Sequence, residues 1–465
     1  MRIVLADIKG QRGFVQKDVV VGGYGARLSG FSTLTKIAST VWSRGHDEPS
    51  VILAHLAAIF DGAGHEVVFT RDAVPRAEPG DVAIVLSSLV DYRNEIAWAD
   101  LARAAGIRVG FVGLAASKLP QLFDDHADFV VEGEPESAAM RMAGGEVLAG
   151  RVKSEEVKDL DSLPLPRWDL IGVTSRSSLG NGWARPIGGL PVLASRSCPE
   201  HCTYCPHRIL TSYRYRSVAS VLDELELIAN TSGLPVVFRD PLFSNDRERC
   251  LALADGILAR GIKIQFECET RLDRLDDKLL ERLRAAGLRA IEFGVESVSP
   301  EILKKVGRRP IPEAQQRRVI ATCNRLGIRT LGFYVLGLPT DTWESIAATI
   351  DYSISLGSTL AQFKLLTPYP GTPLFKQLKP LVYETDWEKF DGFTPTFKHP
   401  SLSVDELMFL LGAAYDRFFL RPSFVANYLR VEHRVLRGVV DRLDRTVSRW
   451  HAAGENREMQ RAVTS

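Results

Sequence analysis

Three cysteines stand together in the run Cys198-Pro-Glu-His-Cys202-Thr-Tyr-Cys205, spaced C-x3-C-x2-C. Three thiols cannot pair into disulfides without leaving one over. A structural zinc site asks for four ligands, and no further cysteine or histidine pair stands nearby at finger-like spacing; His207 is close, but His201 lies inside the loop between two of the cysteines. A [4Fe–4S] cluster ordinarily takes four cysteines, so three would leave one iron open to a small molecule. That open iron is the chemistry the spacing offers. A buried cysteine trio or a zinc site is the plainer alternative.

The loop needs a scaffold, and the flanking sequence supplies one. From residue 191 to 375 a pattern repeats: a helix ends, a glycine follows, and a short strand ends on phenylalanine. The instances run Gly233 to Phe238, Gly261 to Phe266, Gly287 to Phe293, Gly327 to Phe333 and Gly357 to Phe363. Glycine just past a helix is the left-handed cap. Ser299-Pro-Glu marks a helix start with proline in the first turn, and Asp341-Thr-Trp-Glu344 resembles a capping box. With Pro191–Ser197 as the first strand there are six, and strands alternating with helices predict a parallel sheet. Six such units predict a partial (β/α)6 TIM-type barrel whose chemistry lies at the strand C-termini. The cysteine loop follows the first of these strands.

Residues 1–150 alternate in the same way. Strands are expected at Arg2–Ile8, Gly64–Phe69, Asp81–Ser88, Ile107–Val112 and Ala127–Val131. Helices are expected at Ser50–Asp61, with Ser50 as N-cap, at Tyr92–Ala105 and near Lys118–Phe123. Near-continuous apolar runs suit a parallel sheet buried on both faces. The prediction is a doubly wound, Rossmann-like domain with its ligand crevice at the strand C-termini. No G-x-G-x-x-G follows the first strand, so a dinucleotide fingerprint is missing. Residues 151–190 read as a linker, with Pro164 and Pro166 holding the chain extended and a Gly/Ser-rich loop around Trp183. Residues 376–465 read as a helical region, with helices at Ser403–Tyr415 and Phe424–Trp450 and a disordered tail after about Ala452.

The chain of 465 residues is long enough for two or three domains, and a formal charge of +1 gives no strong field for nucleic acid. No apolar run suits a signal peptide or a membrane span. Cys250, Cys268 and Cys323 lie far apart and read as buried thiols of a reducing cytoplasm, with no pattern for a second cluster. From Arg417 onward there are ten arginines, no lysine and five acidic residues. Their interleaving with aromatic and aliphatic residues reads either as a helical cap with a solvated basic face or as a peripheral contact with anionic membrane.

With an aromatic residue, Tyr204, just before its last cysteine, the loop resembles the signature of the radical S-adenosylmethionine (SAM) enzymes. The resemblance covers roughly residues 1–420. It implies a [4Fe–4S] cluster on Cys198, Cys202 and Cys205, with SAM chelating the fourth iron and cleaved to a 5′-deoxyadenosyl radical. By position it implies a SAM site including Tyr204, Asp240 after strand two, Arg271 after strand three, Glu296 and Ser297 in a Gly-x-Glu-Ser motif, and Gly337 in Gly-Leu-Pro. The family's Gly-Gly-Glu is absent after strand two, and Phe333 stands where the first glycine of a Gly-x-Ile-x-Gly would align.

The first 150 residues resemble the cobalamin-binding domain fused ahead of many such barrels. That likeness implies Ser87, Ser88, Gly113, Gly133 and Glu134 around the nucleotide tail of cobalamin. The histidine motif D-x-H-x-x-G is absent where Gly45-His-Asp-Glu-Pro49 stands, and Asp124-Asp-His126 lies too late. Cobalt without a histidine ligand is therefore expected. The lack of any cysteine before Cys198 argues against the methylthiotransferase branch.

The resemblance implies a cobalamin-dependent radical SAM enzyme methylating an unactivated carbon of a small-molecule or lipid substrate. An electron donor such as flavodoxin or ferredoxin would serve it. Alternatives are a dehydratase, cyclase, epimerase or oxidoreductase without methyl transfer, or a non-catalytic cobalamin or iron–sulfur sensor. Tyr204, Tyr334, Tyr369 and Cys268 are candidates for a hydrogen or proton donor by position alone.

Overall fold

The computed structural model describes residues 1–10, 14–17, 24–28, 48–173, 189–422 and 424. His46, Trp183 and the basic segment beyond Phe424 lie outside the described residues.

The front half is built on β1 (Arg2–Ala6), β4 (Glu66–Thr70), β5 (Val82–Leu86), β6 (Arg108–Val112), β7 (Phe129–Gly133) and β8 (Gly150–Ser154), with a small antiparallel hairpin of β2 (Phe14–Gln16) and β3 (Ala26–Leu28). The six strands form one parallel sheet in the order β4-β1-β5-β6-β7-β8. Between them run α1 (Val51–Gly62), α2 (Tyr92–Ala104), α3 (Leu114–Lys118) and α4 (Pro135–Ala143). Ser50 caps α1, its side chain accepting from the Leu53 amide. The chain goes first to one side of β1 and then to the other, so the switch point of this doubly wound sheet lies where β1 and β5 end. β8 completes the sheet inside the stretch that the sequence suggested as linker. The short helix expected near Lys118–Phe123 is displaced: α3 comes first, followed by single 3-10 turns at Pro120–Leu122 and Asp124–His126.

The second half opens with β9 (Leu190–Val192), then a two-stranded ladder of β10 (Ser195–Arg196) and β11 (Arg214–Tyr215). It continues through α5 (Val218–Thr231), β12 (Val236–Phe238), α6 (Arg247–Ala259), β13 (Phe266–Thr270), α7 (Asp277–Ala286) and β14 (Leu288–Glu296). Next come α8 (Pro300–Lys305), α9 (Glu313–Leu326), β15 (Arg329–Leu336), α10 (Trp343–Ser355), β16 (Leu360–Leu365), α11 (Pro373–Leu378) and α12 (Val404–Phe419). The six main strands pair in strict chain order, β9-β12-β13-β14-β15-β16, all parallel. This is the expected partial barrel, open between β9 and β16.

The five repeat glycines, Gly233, Gly261, Gly287, Gly327 and Gly357, all have positive φ, which is why that position in each repeat is glycine. β12 ends on its phenylalanine as expected, whereas β14, β15 and β16 run two or three residues beyond theirs and β9 stops at Val192, short of Ser197. Phe266 begins β13 rather than ending it, so Glu267, Cys268 and Glu269 lie within the strand. The capping box of α10 is made by Thr342 and Ser345, one residue later than Asp341 and Glu344.

Candidate active site

The cysteine loop leaves the barrel through Ser197 and returns through the β10–β11 ladder. It is clamped at its middle: the Thr203 amide donates to Val306 O at 2.9 Å, and the Leu374 amide donates to Thr203 O at 3.0 Å. Gly307 lets the strand-four side approach, since a Cβ there would stand 2.7 Å from His201 O. The three thiols are half-buried and unpaired by disulfides. Burial pushes the Cys198 thiol up and that of Cys205 up to about 12. A metal that takes thiolates must therefore displace those protons.

Beside the cysteines lies a charged group that sequence reading missed. Arg308 is buried, its Nη1 3.9 Å from Cys202 Sγ and its Nη2 3.3 Å from Glu296 Oε1, and it also donates to Gly294 O. Tyr204 packs into the same group, and burial raises both its phenol and the Glu296 carboxyl. The only trace of Arg308 in sequence is Gly307-Arg-Arg-Pro310, a turn after a short helix, which spacing alone does not tie to the cysteines.

The Gly-Val-Glu-Ser motif has a steric cause. Glu296 ends β14 at φ +67 and folds back so far that a Cβ on Gly294 would stand 2.1 Å from its Oε1 and 2.7 Å from Arg308 Nη2. Among the described residues, Ser197 (φ +64) and Glu296 are the two non-glycine residues with positive φ. Left-handed backbone at such residues costs on the order of 1–3 kcal/mol and gathers at functional sites. Here one residue precedes the first cysteine and the other faces Cys202 across Arg308.

Arg271 forks onto Asp273, Nε to Oδ1 at 3.0 Å and Nη2 to Oδ2 at 3.1 Å, and Nη2 also donates to Arg309 O. Its buried Nη1 has no hydrogen-bond partner among the described residues. Ser297 Oγ accepts from the Ser299 amide at 3.2 Å. Gly337 begins a turn in which the Leu338 amide donates to Asp341 Oδ2. Asp240 is buried, and its carboxylate accepts from Ser195 Oγ at 2.5 Å and the Ala194 amide at 3.1 Å. It ties down the chain ahead of the cysteines.

The lumen of the barrel is charged. Arg239 pairs with Glu269, with Glu292 at 3.7 Å and with Glu48 of the front half at 3.5 Å. Glu48 is one of several links between the halves. Tyr24 stacks on Tyr369 with ring centroids 5.3 Å apart and donates to Pro370 O at 2.7 Å. Arg196, just ahead of the cysteines, is buried against Glu134 (3.3 Å) and Glu136 (2.6 Å). The C-terminal ends of the front sheet thus close over the mouth of the barrel.

The side chains of three of the five expected cobalamin contacts, Glu134, Ser88 and Ser87, are engaged within the protein. Glu134 is fully buried and accepts from Arg214, Thr211 Oγ1 (2.7 Å) and the Val157 amide (3.2 Å), so it belongs to the joint between the halves. Ser88 donates to Glu95 through both amide and hydroxyl, and Glu95 in turn pairs with buried Lys17 at 2.7 Å. Ser87 Oγ donates to Val112 O and accepts from the Ala116 amide, holding the start of α3. Gly113 and Gly133 cap the ends of β6 and β7 at positive φ; a Cβ on Gly133 would meet Ser154 O at 2.2 Å. His126 pairs with Asp100 at the surface, 2.8 Å away.

Among the described residues no three cysteine, histidine or carboxylate side chains converge as a ready metal-ligand group, so it is the spacing of the three thiols and the buried cation beside Cys202 that suit a cluster, and the unpartnered Arg271 Nη1 suits an anionic ligand.

Residues 192–353 match the Radical SAM superfamily. An uncharacterized methyltransferase of Pyrococcus horikoshii is 28% identical over 63% of this chain, and the chain spans 65% of that relative's length. The bacteriochlorophyllide d C-12(1)-methyltransferase of Chlorobaculum tepidum is 26% identical over 73% of this chain and 75% of the relative. Among solved structures, the cobalamin-dependent SAM radical enzyme OxsB with aqua-cobalamin bound superposes with a TM-score of 0.66 at 13% identity, covering 96% of this chain and 71% of that one. The radical SAM methyltransferase TsrM of Kitasatospora setae gives 0.58 at 19% identity, covering 81% and 76%. Residues 192–353, which carry the cysteine loop, are a Radical SAM domain. The fold of the whole chain, a doubly wound sheet ahead of the barrel, is that of the cobalamin-dependent radical enzyme OxsB.

Proposed function

We propose that this chain is a cobalamin-dependent methyltransferase acting on an unactivated carbon of a small-molecule substrate. The observation that carries the reading is the closure of the front sheet's strand ends over the cysteine mouth, through Glu48–Arg239, Tyr24–Tyr369 and Arg196–Glu134. A cofactor held at the switch point of the first sheet would then face the barrel lumen. The methyltransferase names of two relatives support it.

When bound, the cluster with SAM supplies a 5′-deoxyadenosyl radical and cobalamin supplies a methyl group. The chain's own residues bind, orient and exclude water. Cys198, Cys202 and Cys205 would hold the cluster, with Arg308 offsetting its negative charge. Glu296, Ser297 and Arg271 would hold SAM, the free Nη1 of Arg271 suiting its carboxylate. Gly113 and Gly133 would let backbone approach the cobalamin tail. An electron donor such as flavodoxin or ferredoxin and a reducing cytoplasm belong to this reading. Peripheral membrane attachment falls on the basic segment outside the described residues, and no described helix is long and apolar enough to cross a membrane.

The test is anaerobic reconstitution with iron, sulfide and hydroxocobalamin, followed by gel filtration and an absorption spectrum. Cobalamin co-eluting with an iron–sulfur chromophore, and label from methyl-labelled SAM appearing in product, is the expected result. A cluster without cobalamin would instead favour radical chemistry without methyl transfer. A relative named an anaerobic magnesium-protoporphyrin IX monomethyl ester cyclase, 26% identical, gives that second reading its support.

A further inference from the structure

We propose that Lys364 is a substrate-binding residue, receiving an anionic group, carboxylate or phosphate, in the barrel lumen. The inference deepens the methyltransferase reading above and rests on its placement of substrate in the lumen.

Lys364 lies near the C-terminal end of β16, the last strand, beside the open side of the barrel. Phe363 before it packs outward on Tyr334 (5.1 Å), Tyr415 (5.5 Å) and Phe418 (6.1 Å). Alternation along a strand turns Lys364 to the lumen. Its charged neighbours agree: Asp391, Arg239, Glu269 and Glu296, drawn from the far strand ends and the segment after the barrel. The side chain is held in place. Gly392 leaves room for its stem, since a Cβ there would stand 3.0 Å from Lys364 Cδ, and Nζ lies 5.9 Å from the centre of the Phe393 ring.

Each nearby carboxylate is already engaged. Asp391 caps its own turn, accepting from the amides of Phe393 (2.7 Å) and Thr394 (2.8 Å) and from Thr394 Oγ1 (3.0 Å). Glu269 is on Arg239, and Glu296 is on Arg308. Arg239, Arg271 and Arg308 all have acidic partners. Lys364 has no hydrogen bond or ion pair with another described residue. A part-buried ammonium with no carboxylate in direct contact is costly, and its burial lowers the pKa. An anion brought by the substrate removes that cost, and the barrel gains a fixed point for orienting the substrate toward the cysteine mouth.

The test needs no identified substrate. Reconstituted full-length protein is treated anaerobically with an amine-acetylating reagent, and acetylation of Lys364 is measured by peptide mass spectrometry. Octanoate, inorganic phosphate, octanol and SAM are added in separate arms. Threefold or greater protection by octanoate or by phosphate, with none by octanol, is expected; which of the two protects tells carboxylate from phosphate. Protection should persist when SAM is already bound. The proposal is overturned if neither anion protects, if Lys364 is never acetylated, or if SAM alone protects and the anions add nothing, since Lys364 would then serve SAM. Cobalamin uptake and 5′-deoxyadenosine formation are read on the same sample, so failure of the methyltransferase reading is seen separately.

Discussion

Glu296 and its glycine show how tightly the centre is built. Gly294→Ala places a methyl group against the side chains of both Glu296 and Arg308, a buried ion pair. Overpacking of this kind typically costs about 1–3 kcal/mol. The expected outcome is a lowered melting temperature together with loss of SAM cleavage to 5′-deoxyadenosine. Gly412→Ala, in the interior of α12 where no atom lies within 4 Å of the added Cβ, should instead stabilise by about 0.5–1 kcal/mol. Calorimetry on both variants separates a crowded glycine from a merely flexible one. Asp240 gives a pH signature. Burial raises its carboxyl to about 6 from an ordinary value of 3.8. Between those values the unfolded chain has released a proton that the folded chain keeps, so stability falls as pH rises through this window. Asp240→Asn should therefore lose less stability at pH 8 than at pH 4, as measured by denaturant titration. Equal losses at both pH values would show that Asp240 does not titrate in this window.

At the scale of elements, the periodic features were legible and the joints were not. Glycine caps, Ser50, Ser299-Pro300 and the helix from Ser403 follow from local chemistry, and the structure places them within a residue or two. The capping box of α12, Ser403 with Glu406, is such a feature. Ser403→Ala should cost about 1 kcal/mol in thermal unfolding and leave cluster content unchanged. The phenylalanine of each repeat was a poorer guide, because Phe266 opens its strand and so moves Glu267 and Glu269 into the lumen wall. Helix α4 and strand β8 went unread, since Glu134-Pro135 serves equally as a motif end and as a helix start. Arg308 escaped because its meaning depends on which strand end faces the cysteines, and register is a long-range property. Asp240 was placed at the right strand end, but the chain segment that consumes its carboxylate lies 45 residues away.

Taken whole, the molecule is two parallel sheets locked mouth to mouth. Arg196 is the main bolt, buried with Glu134 and Glu136. Arg196→Met strips the counter-charge from two buried carboxylates, and breaking a buried pair in this way costs about 3–5 kcal/mol. The expected outcome is a large loss of stability in urea. Adding Glu136→Gln should recover part of it; no recovery would mean the two residues are energetically independent.

The clamp on the cysteine loop also bears on the order of synthesis. Its ties reach forward to Val306 and Leu374. A nascent chain that has just exposed Cys205 lacks both of them. The loop reaches its final shape only after nearly 170 further residues have left the ribosome and α11 has docked. Iron and sulfide delivered earlier meet a loose peptide, so loading of the cluster is a late step of maturation that follows completion of the barrel.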